Sequence, residues 1–391
     1  MRIAQVTDFY LPRVGGIELH VANLARVQRR AGHHVDVITA SGVIANDADQ
    51  ASSRIATGAS FSRRAICAAT RSALDGGYDV VHAHAGLATP LTFAVARAAS
   101  RAGVPTVITV HSMIGRLAWL YRALDLATHW RALPVAWAAV SHAAAKPLRS
   151  LLGSEELVDV LPNAVDVDAW ILDGRSPRDD HEIVIAAVMR LAARKRPIPL
   201  LRILQHARRE TPAQMTLRVV IIGGGRWQET MQRFLQRHGM DSWVTLAGPQ
   251  NHHEIRELFR RADLFVAPSR KESFGIAALE ARSAGLPVLA MACSGVGEFL
   301  EPGRGGLLVA DDRSMGEAIA NFAANPAELA GISLHNRMVR PPFGWDAALR
   351  HTEVVYERAR ALQPTVGGAF ATAVVRGWPA AETPTSLATQ P

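Results

Sequence analysis

Two carboxylates, Glu272 and Glu280, stand eight residues apart in the segment that runs from Pro268 through Ser273, Phe274, Gly275 and Ile276 to Gly285. A strand ending at Ala267, a polar loop and a helix opening near Ser273 to Gly275 would set the pair at the two ends of a ~12 Å stretch, at 1.5 Å per helical residue. That span suits a diphosphate with a polyhydroxylated ring on either side, one carboxylate to each ring. The helix opening between them offers unpaired N–H groups and a positive dipole end, which hold phosphate without a dedicated side chain. Gly275 permits close backbone approach. An ordinary amphipathic helix with two solvated carboxylates would show the same spacing, so the pair needs context.

Other residues sit where chemistry could occur. His111 follows the apolar run Thr106 to Val110, at the carboxyl end where open parallel sheets place ligands, although a satisfied structural histidine fits there too. His82 and His84 alternate along a strand and share a face, a start for a metal site that lacks a nearby third and fourth ligand. Gly15 and Gly16 join a strand to a helix, where the backbone can approach a ligand and the helix can meet a phosphate; a plain tight turn reads the same way. Arg194, Lys195 and Arg196 read as a charged turn just after Arg190, and Gly223 to Gly225 as a turn closing another strand. The segment Ser294 to Glu298 could fold over a phosphate or be a simple loop. Asp47-Ala-Asp49 and Asp166-Val-Asp168 match the short Asp-x-Asp pattern of metal-dependent sugar transferases, but lie in a loop and a linker away from the carboxylate pair. His33, His34, His252 and His253 are expected at the surface.

The elements that must position these groups follow a βα rhythm. Short apolar or β-branched runs occur at 2–6, 35–39, 80–83, 106–110, 136–140 and 158–161, and the rhythm restarts at 182–188, 217–222, 244–246, 264–267, 287–290 and 306–309. Ile17, Val21, Leu24 and Ala25 form one helical face between the first two strands. The polar, Gly- and Pro-containing stretch 166–180 reads as a linker. A final helix spans 345–362, with Ala348, Leu349, Thr352, Val355, Tyr356 and Ala359 on one face. The chain of 391 residues, 49% hydrophobic and 20% charged, is long enough for two cores. Its two cysteines supply no disulfide framework. The longest apolar run, 133–140, is far short of the ~20 residues of a membrane helix, and the start lacks the basic, long-apolar pattern of a secretory signal. A cytoplasmic protein is expected.

The segment 268–288 resembles the nucleotide-sugar signature of the retaining family 4 glycosyltransferases, also called glycosyl transferases group 1, whose members have the GT-B fold. Pieces resembling that family recur in order to about residue 362: Tyr10 to Glu18, Asp79 to His84, Thr109 to Ser112, Pro162 to Asp166 and Arg190 to Lys195. The resemblance implies that Glu280 binds the ribose hydroxyls and Glu272 the transferred sugar, with backbone contacts from Ser273, Phe274, Gly275 and Ile276. It implies Arg190 and Lys195 on the departing diphosphate, where fixed cations stabilise charge that accumulates in the transition state. By the same likeness Gly16 and Gly224 lie by the donor, His111 touches the transferred sugar, and His84 and Glu18 line the acceptor side. Two departures stand out: Met189 occupies the place of a usual glycine before the arginine, and Ala164 that of the glycine in the Pro-Asn-Gly turn.

The expected architecture is α/β, two facing Rossmann-like domains with a cleft between them: an N-terminal acceptor domain over 1–165, a donor domain over 166–343, a helix over 344–362 packing back on the first domain, and a mobile tail over 363–391. The expected activity is retaining transfer of a hexose-type sugar from a nucleotide diphosphate sugar to a hydroxyl acceptor, on a glycan, glycolipid or small polyol, with no metal and no other cofactor. The net charge of +8, with Arg63, Arg64 and Arg71 near Phe61, Ile66 and Leu74 and Arg116, Arg122 and Arg131 among tryptophans, fits peripheral contact with an anionic inner membrane face. No specific nucleic acid is expected. The rivals are a nucleotide-sugar epimerase or hydrolase of the same fold, which would consume donor without acceptor, and a non-catalytic basic protein whose binding to membrane or nucleic acid weakens with salt.

Overall fold

The structure is a computed structural model that describes residues 1–12, 15–41, 53–56, 61–115, 119, 121–123, 125, 129–153, 158–172, 174 and 179–363. Asp47, Asp49, Arg116 and the tail from 364 lie outside the described residues.

The first sheet has seven strands: β1 (Arg2–Thr7), β2 (His34–Thr39), β3 (Ser53–Ala56), β4 (Val80–Ala85), β5 (Thr106–Val110), β6 (Ala136–Ala139) and β7 (Val158–Val160), in the order β3-β2-β1-β4-β5-β6-β7. The second has six: β8 (Glu182–Val188), β9 (Thr216–Ile222), β10 (Val244–Gly248), β11 (Leu264–Ala267), β12 (Val288–Met291) and β13 (Gly306–Val309), in the order β10-β9-β8-β11-β12-β13. Both sheets pair in parallel and both reverse their winding beside their first strand, between β1 and β4 and between β8 and β11. These are two Rossmann-like units. Crevices at such reversal points, outside the carboxyl ends of the strands, are where open α/β sheets bind ligands.

The strands β4, β5 and β6 are buried along their whole length, as parallel strands covered on both faces must be. The short β3 has no strong apolar run and is absent from the sequence reading; it pairs with β2 through its backbone.

The chain crosses between the domains twice, at neighbouring places: Val165 N–H donates to the Phe343 carbonyl at 3.1 Å. The polar stretch after Asp166 is more than a linker, because Trp170 is buried against Phe259, ring centroids 5.6 Å apart, and Arg256 holds the Ala169 and Ile171 carbonyls. The helix Trp345–Ala361 lies on the first sheet through Thr352, Val355, Tyr356 and Ala359, and Arg358 pairs with Asp159 at 2.7 Å. Among the described residues no helix is long and apolar enough to cross a membrane.

On the basic surface, Phe61 is 72% and Trp119 68% exposed. Arg131 instead pairs with Asp125 at 2.7 Å, and Trp130 is buried beside Trp137. Trp130 is therefore interior packing, while Arg131 stays exposed beside it.

Candidate active site

A cleft of about 970 Å³ lies between the two reversal points. Gly15 to Leu19, Gly86 to Thr89, His111 and Ser112 line it from the first domain; Met189, Arg190, Arg194, Lys195, Gly223 to Gly225, Glu272, Ser273, Gly275 to Ala278 and Glu280 line it from the second. The volume is at the upper end of what small-ligand sites enclose. The domains nearly touch at Gly16, where a Cβ would lie 3.6 Å from Ile276 Cδ1.

The helix carrying Glu280 is Ile276–Ser283, so it opens after Gly275 rather than within Ser273 to Gly275. Glu280 therefore sits in its second turn and Glu272 in the loop before it, which shortens the helical part of the expected 12 Å stretch. Gly275 caps the helix with φ +97°, a conformation strained for any residue with a Cβ, and a Cβ there would also press on Val296 at 2.8 Å. Burial raises the Glu280 carboxyl from its ordinary 4.5 to about 8.

Phe274 is 1% exposed and its ring packs with Phe299 and Phe343, so its side chain faces the core and not the cleft. It anchors the loop whose neighbouring backbone reaches the ligand space. The segment 294–298 braces this loop from behind: Gly295 N–H donates to the Glu272 carbonyl at 2.8 Å, and a Cβ on Gly295 would overlap the Ser273 carbonyl. Glu298 then reaches across to the other domain, accepting from His142 N–H at 2.6 Å and pairing with His142 Nδ1 at 2.8 Å. The segment, read from sequence as either a cover over a phosphate or a simple loop, thus also serves as a strut between domains.

Lys195 bonds Glu272 through Nζ and Oε2, both side chains largely shielded. Arg190 is exposed to the cleft. Arg196 is no solvated residue: it grips Asp312 with two nitrogens at 2.8 and 2.7 Å and the Pro268 carbonyl at 3.1 Å. That fork ties the basic turn to the end of β11. Gly223 has φ +133°, and a Cβ there would overlap the Met189 carbonyl oxygen, while one on Gly225 would lie 2.5 Å from the Leu191 carbonyl. The glycine-rich turn thus supports the backbone on both sides of Arg190, and Met189, a departure from the family pattern, leaves this packing intact.

On the first domain, Glu18 is 6% exposed and folds back over Gly15, whose missing Cβ makes room for the carboxylate. His84 does not line the cleft. It is fully buried and bonds His111 Nε2 through Nδ1 at 2.9 Å and Gln5 Oε1 through Nε2 at 2.6 Å. A third ring that the sequence reading lacked does arrive: among the described residues, nitrogens of His20, His84 and His111 lie within 4.8 Å of one another. Both nitrogens of His84 are engaged, one by His111 and one by Gln5, so an ion held by all three rings would have to break an existing bond. Burial, with the neighbouring rings adding to it, holds His84 and His111 well below 6.5; burial lowers His20 to about 4 and, with His20 beside it, His82 to about 3. All four are neutral imidazoles at neutral pH. Of the surface histidines, His34, His252 and His253 are exposed, and His33 is part-buried with Glu353 at 3.3 Å. Asp166 accepts from Ala169 N–H at 3.2 Å, a local turn rather than a metal site.

Two family models divide the chain between them: Glycosyltransferase Family 4 matches residues 14–169 and Glycosyl transferases group 1 matches residues 168–339. The chain belongs to the family 4 glycosyltransferases. Among relatives of this family 4 glycosyltransferase, a phosphatidylinositol N-acetylglucosaminyltransferase subunit of Arabidopsis thaliana is 27% identical over 92% of this chain and 82% of its own length. The D-inositol 3-phosphate glycosyltransferase of Rhodococcus opacus is 28% identical over 69% of this chain and 65% of its own. The crystal structure of Anabaena HepE, solved with UDP and glucose, superposes with a TM-score of 0.73 at 18% identity, covering 91% of this chain and 99% of that one. That likeness shows the fold, GT-B.

Sequence reasoning missed the residues behind His111, namely Gln5, His20, Gln28 and Tyr356. One signal was available, since Gln28 falls on the helical face of Val21 and Leu24. A polar residue in a buried stripe marks a place where a partner must exist.

Proposed function

We propose that this glycosyltransferase moves a hexose-type sugar from a nucleotide diphosphate sugar to a hydroxyl acceptor, with retention of anomeric configuration and without a metal. One observation carries the reading: the helix opening at Ile276 faces the cleft with Glu272 before it, Glu280 one turn in, and Arg190 and Lys195 on the adjoining loop. The helix opening and the two cations hold the diphosphate, Glu280 the ribose, and Glu272 and His111 the transferred sugar.

In the transfer, the bond from C1 of the sugar to the phosphate oxygen breaks while the acceptor oxygen bonds C1 on the same face. The acceptor proton passes to the leaving phosphate oxygen. A covalent route would need two carboxylates close together across the sugar, one of them a free nucleophile. Glu272 is already neutralised by Lys195, which favours the same-face route. Both named relatives act on inositol-based acceptors by their names, so a polyol ring, free or on a lipid, is the acceptor class to try first. The epimerase or hydrolase reading gains no support from the site.

The test is a transfer assay with nucleotide sugars and inositol, inositol phosphate or phosphatidylinositol, in EDTA, with the product configuration read by NMR. A retained product made in EDTA is expected; an inverted product, a strict need for added cation, or donor consumption without acceptor would contradict the proposal.

Glu280 adds a pH signature. In the free protein its carboxyl, pushed up to about 8, is protonated at neutral pH. A ribose diol donating to it favours the charged form, so binding at neutral pH expels a proton. Affinity for a nucleotide sugar should therefore rise with pH through neutrality and level off above the free value of about 8. The heat of binding at neutral pH should vary with buffer ionisation enthalpy, and Glu280→Gln should remove both effects. A flat profile in the native protein would rule out proton release at this carboxyl.

A further inference from the structure

A single hydrogen-bonded chain runs from the C-terminal helix through the core of the first domain to His111, and its polarity can be read from its members. Tyr356 OH accepts from Gln28 Nε2 at 2.9 Å and from Gln5 Nε2 at 3.2 Å, which leaves its own proton for His82 Nδ1 at 3.0 Å. His82 Nε2 then donates to Thr109 Oγ1 at 2.8 Å. Gln5 Nε2 also donates to Gln28 Oε1 at 2.7 Å, so the amide nitrogen of Gln5 is fully committed and its carbonyl faces His84. A carbonyl can only accept. His84 Nε2, 2.6 Å away, must carry a proton.

A neutral imidazole holds one proton, so His84 Nδ1 is a bare acceptor. His111 Nε2, 2.9 Å from it, is then the donor. All of these side chains except His111 are at most 1% exposed, and His111 is 5% exposed where it lines the cleft.

We propose that Gln5 and Tyr356, acting through His84, are positioning residues that lock His111 in its Nε2–H tautomer and so present an unprotonated Nδ1 as a hydrogen-bond acceptor for a sugar hydroxyl. The inference deepens the reading of His111 as a contact to the transferred sugar and rests on it. It assigns a task to the helix Trp345–Ala361, whose Tyr356 lies 351 residues from Gln5 in the chain. The ring stays in place because His20 and His84 pack against it with centroids 5.3 and 5.2 Å away. The opposite sense would require both glutamine amides to turn over and every bond in the chain to reverse.

The experiment reads the tautomer directly, by long-range ¹H–¹⁵N NMR of the full chain labelled at histidine nitrogens, with His111→Asn to assign the signal. The native protein should show a protonated Nε2 and a bare Nδ1 on His111. Gln5→Met, which keeps the bulk and removes the amide, should give a tautomer mixture and lower kcat on the order of 10- to 100-fold, the scale for losing an orienting outer partner, with donor KM changed less. Gln5→Glu, still an acceptor toward His84, should keep the Nε2–H form. A bare Nε2 on His111 in the native protein, or a single unchanged tautomer in Gln5→Met, would overturn the inference. If the native tautomer is as stated but His111→Asn turns over normally, the orienting chain stands and the contact of His111 with sugar falls.

Discussion

Replacing Arg190 with alanine is expected to lower transfer by about 10²-fold or more while the protein stays folded, the scale seen when one preorganised electrostatic group is removed from a transition state. The loss should fall on kcat more than on donor KM, because the charge it meets grows only as the bond to the leaving phosphate breaks. The fold should tolerate the change, since Arg190 is an exposed side chain at the cleft wall. Steady-state kinetics with a thermal melt beside them decide the matter. Lys195 is a less clean target, because removing it also frees Glu272, its ion-pair partner.

The second large effect is expected from Gly223→Ala, one added methyl group on the turn that packs against the Arg190 loop. The new Cβ would overlap the Met189 carbonyl oxygen, and the backbone holds φ +133°, which side chains avoid. Strain of this kind costs about 1–3 kcal/mol before the overlap is counted. Met189 N–H donates to the Ile222 carbonyl at 2.9 Å and Leu191 N–H to the Gly224 carbonyl at 2.9 Å, so the loop carrying Arg190 must shift with the glycine turn. A melting temperature lower by several degrees and turnover down by about tenfold or more are expected. Alanine at Gly303, also at positive φ but with open space around its Cβ, serves as the control for strain alone. Equal activity losses in the two variants would show that the contact with Met189 does not matter.

Much of this arrangement was legible in the residues. Strands buried on both faces are written as continuous apolar runs, and Glu182–Val188, Leu264–Ala267 and Gly306–Val309 occupy the ranges their sequence marks out. The positions that line the cleft follow strand ends, and the family resemblance singled out Arg190, Glu272 and His111 among them. What could not be read depends on partners distant in sequence. Arg196 looks like one more surface cation until Asp312 is brought beside it, and Glu298 like loop until His142 arrives from the other domain. The helix Ile276–Ser283 begins later than expected because a positive-φ glycine caps it, and a glycine inside a polar loop does not announce its φ. His84 was placed at the acceptor side from strand alternation and family likeness. Alternation tells which face a side chain takes, not whether another ring, here His111, stands between it and the ligand.

The central claim is that the cleft holds a nucleotide diphosphate sugar by the helix opening at Ile276 and by Glu280. The direct measurement is calorimetric titration of the native protein and Glu280→Ala with UDP-, GDP- and ADP-sugars in EDTA. One nucleotide family should bind the native protein, and Glu280→Ala should weaken it by about tenfold or more, the scale of hydrogen bonds to a charged group. Absence of binding by every nucleotide sugar, or binding that Glu280→Ala leaves unchanged, would contradict the account.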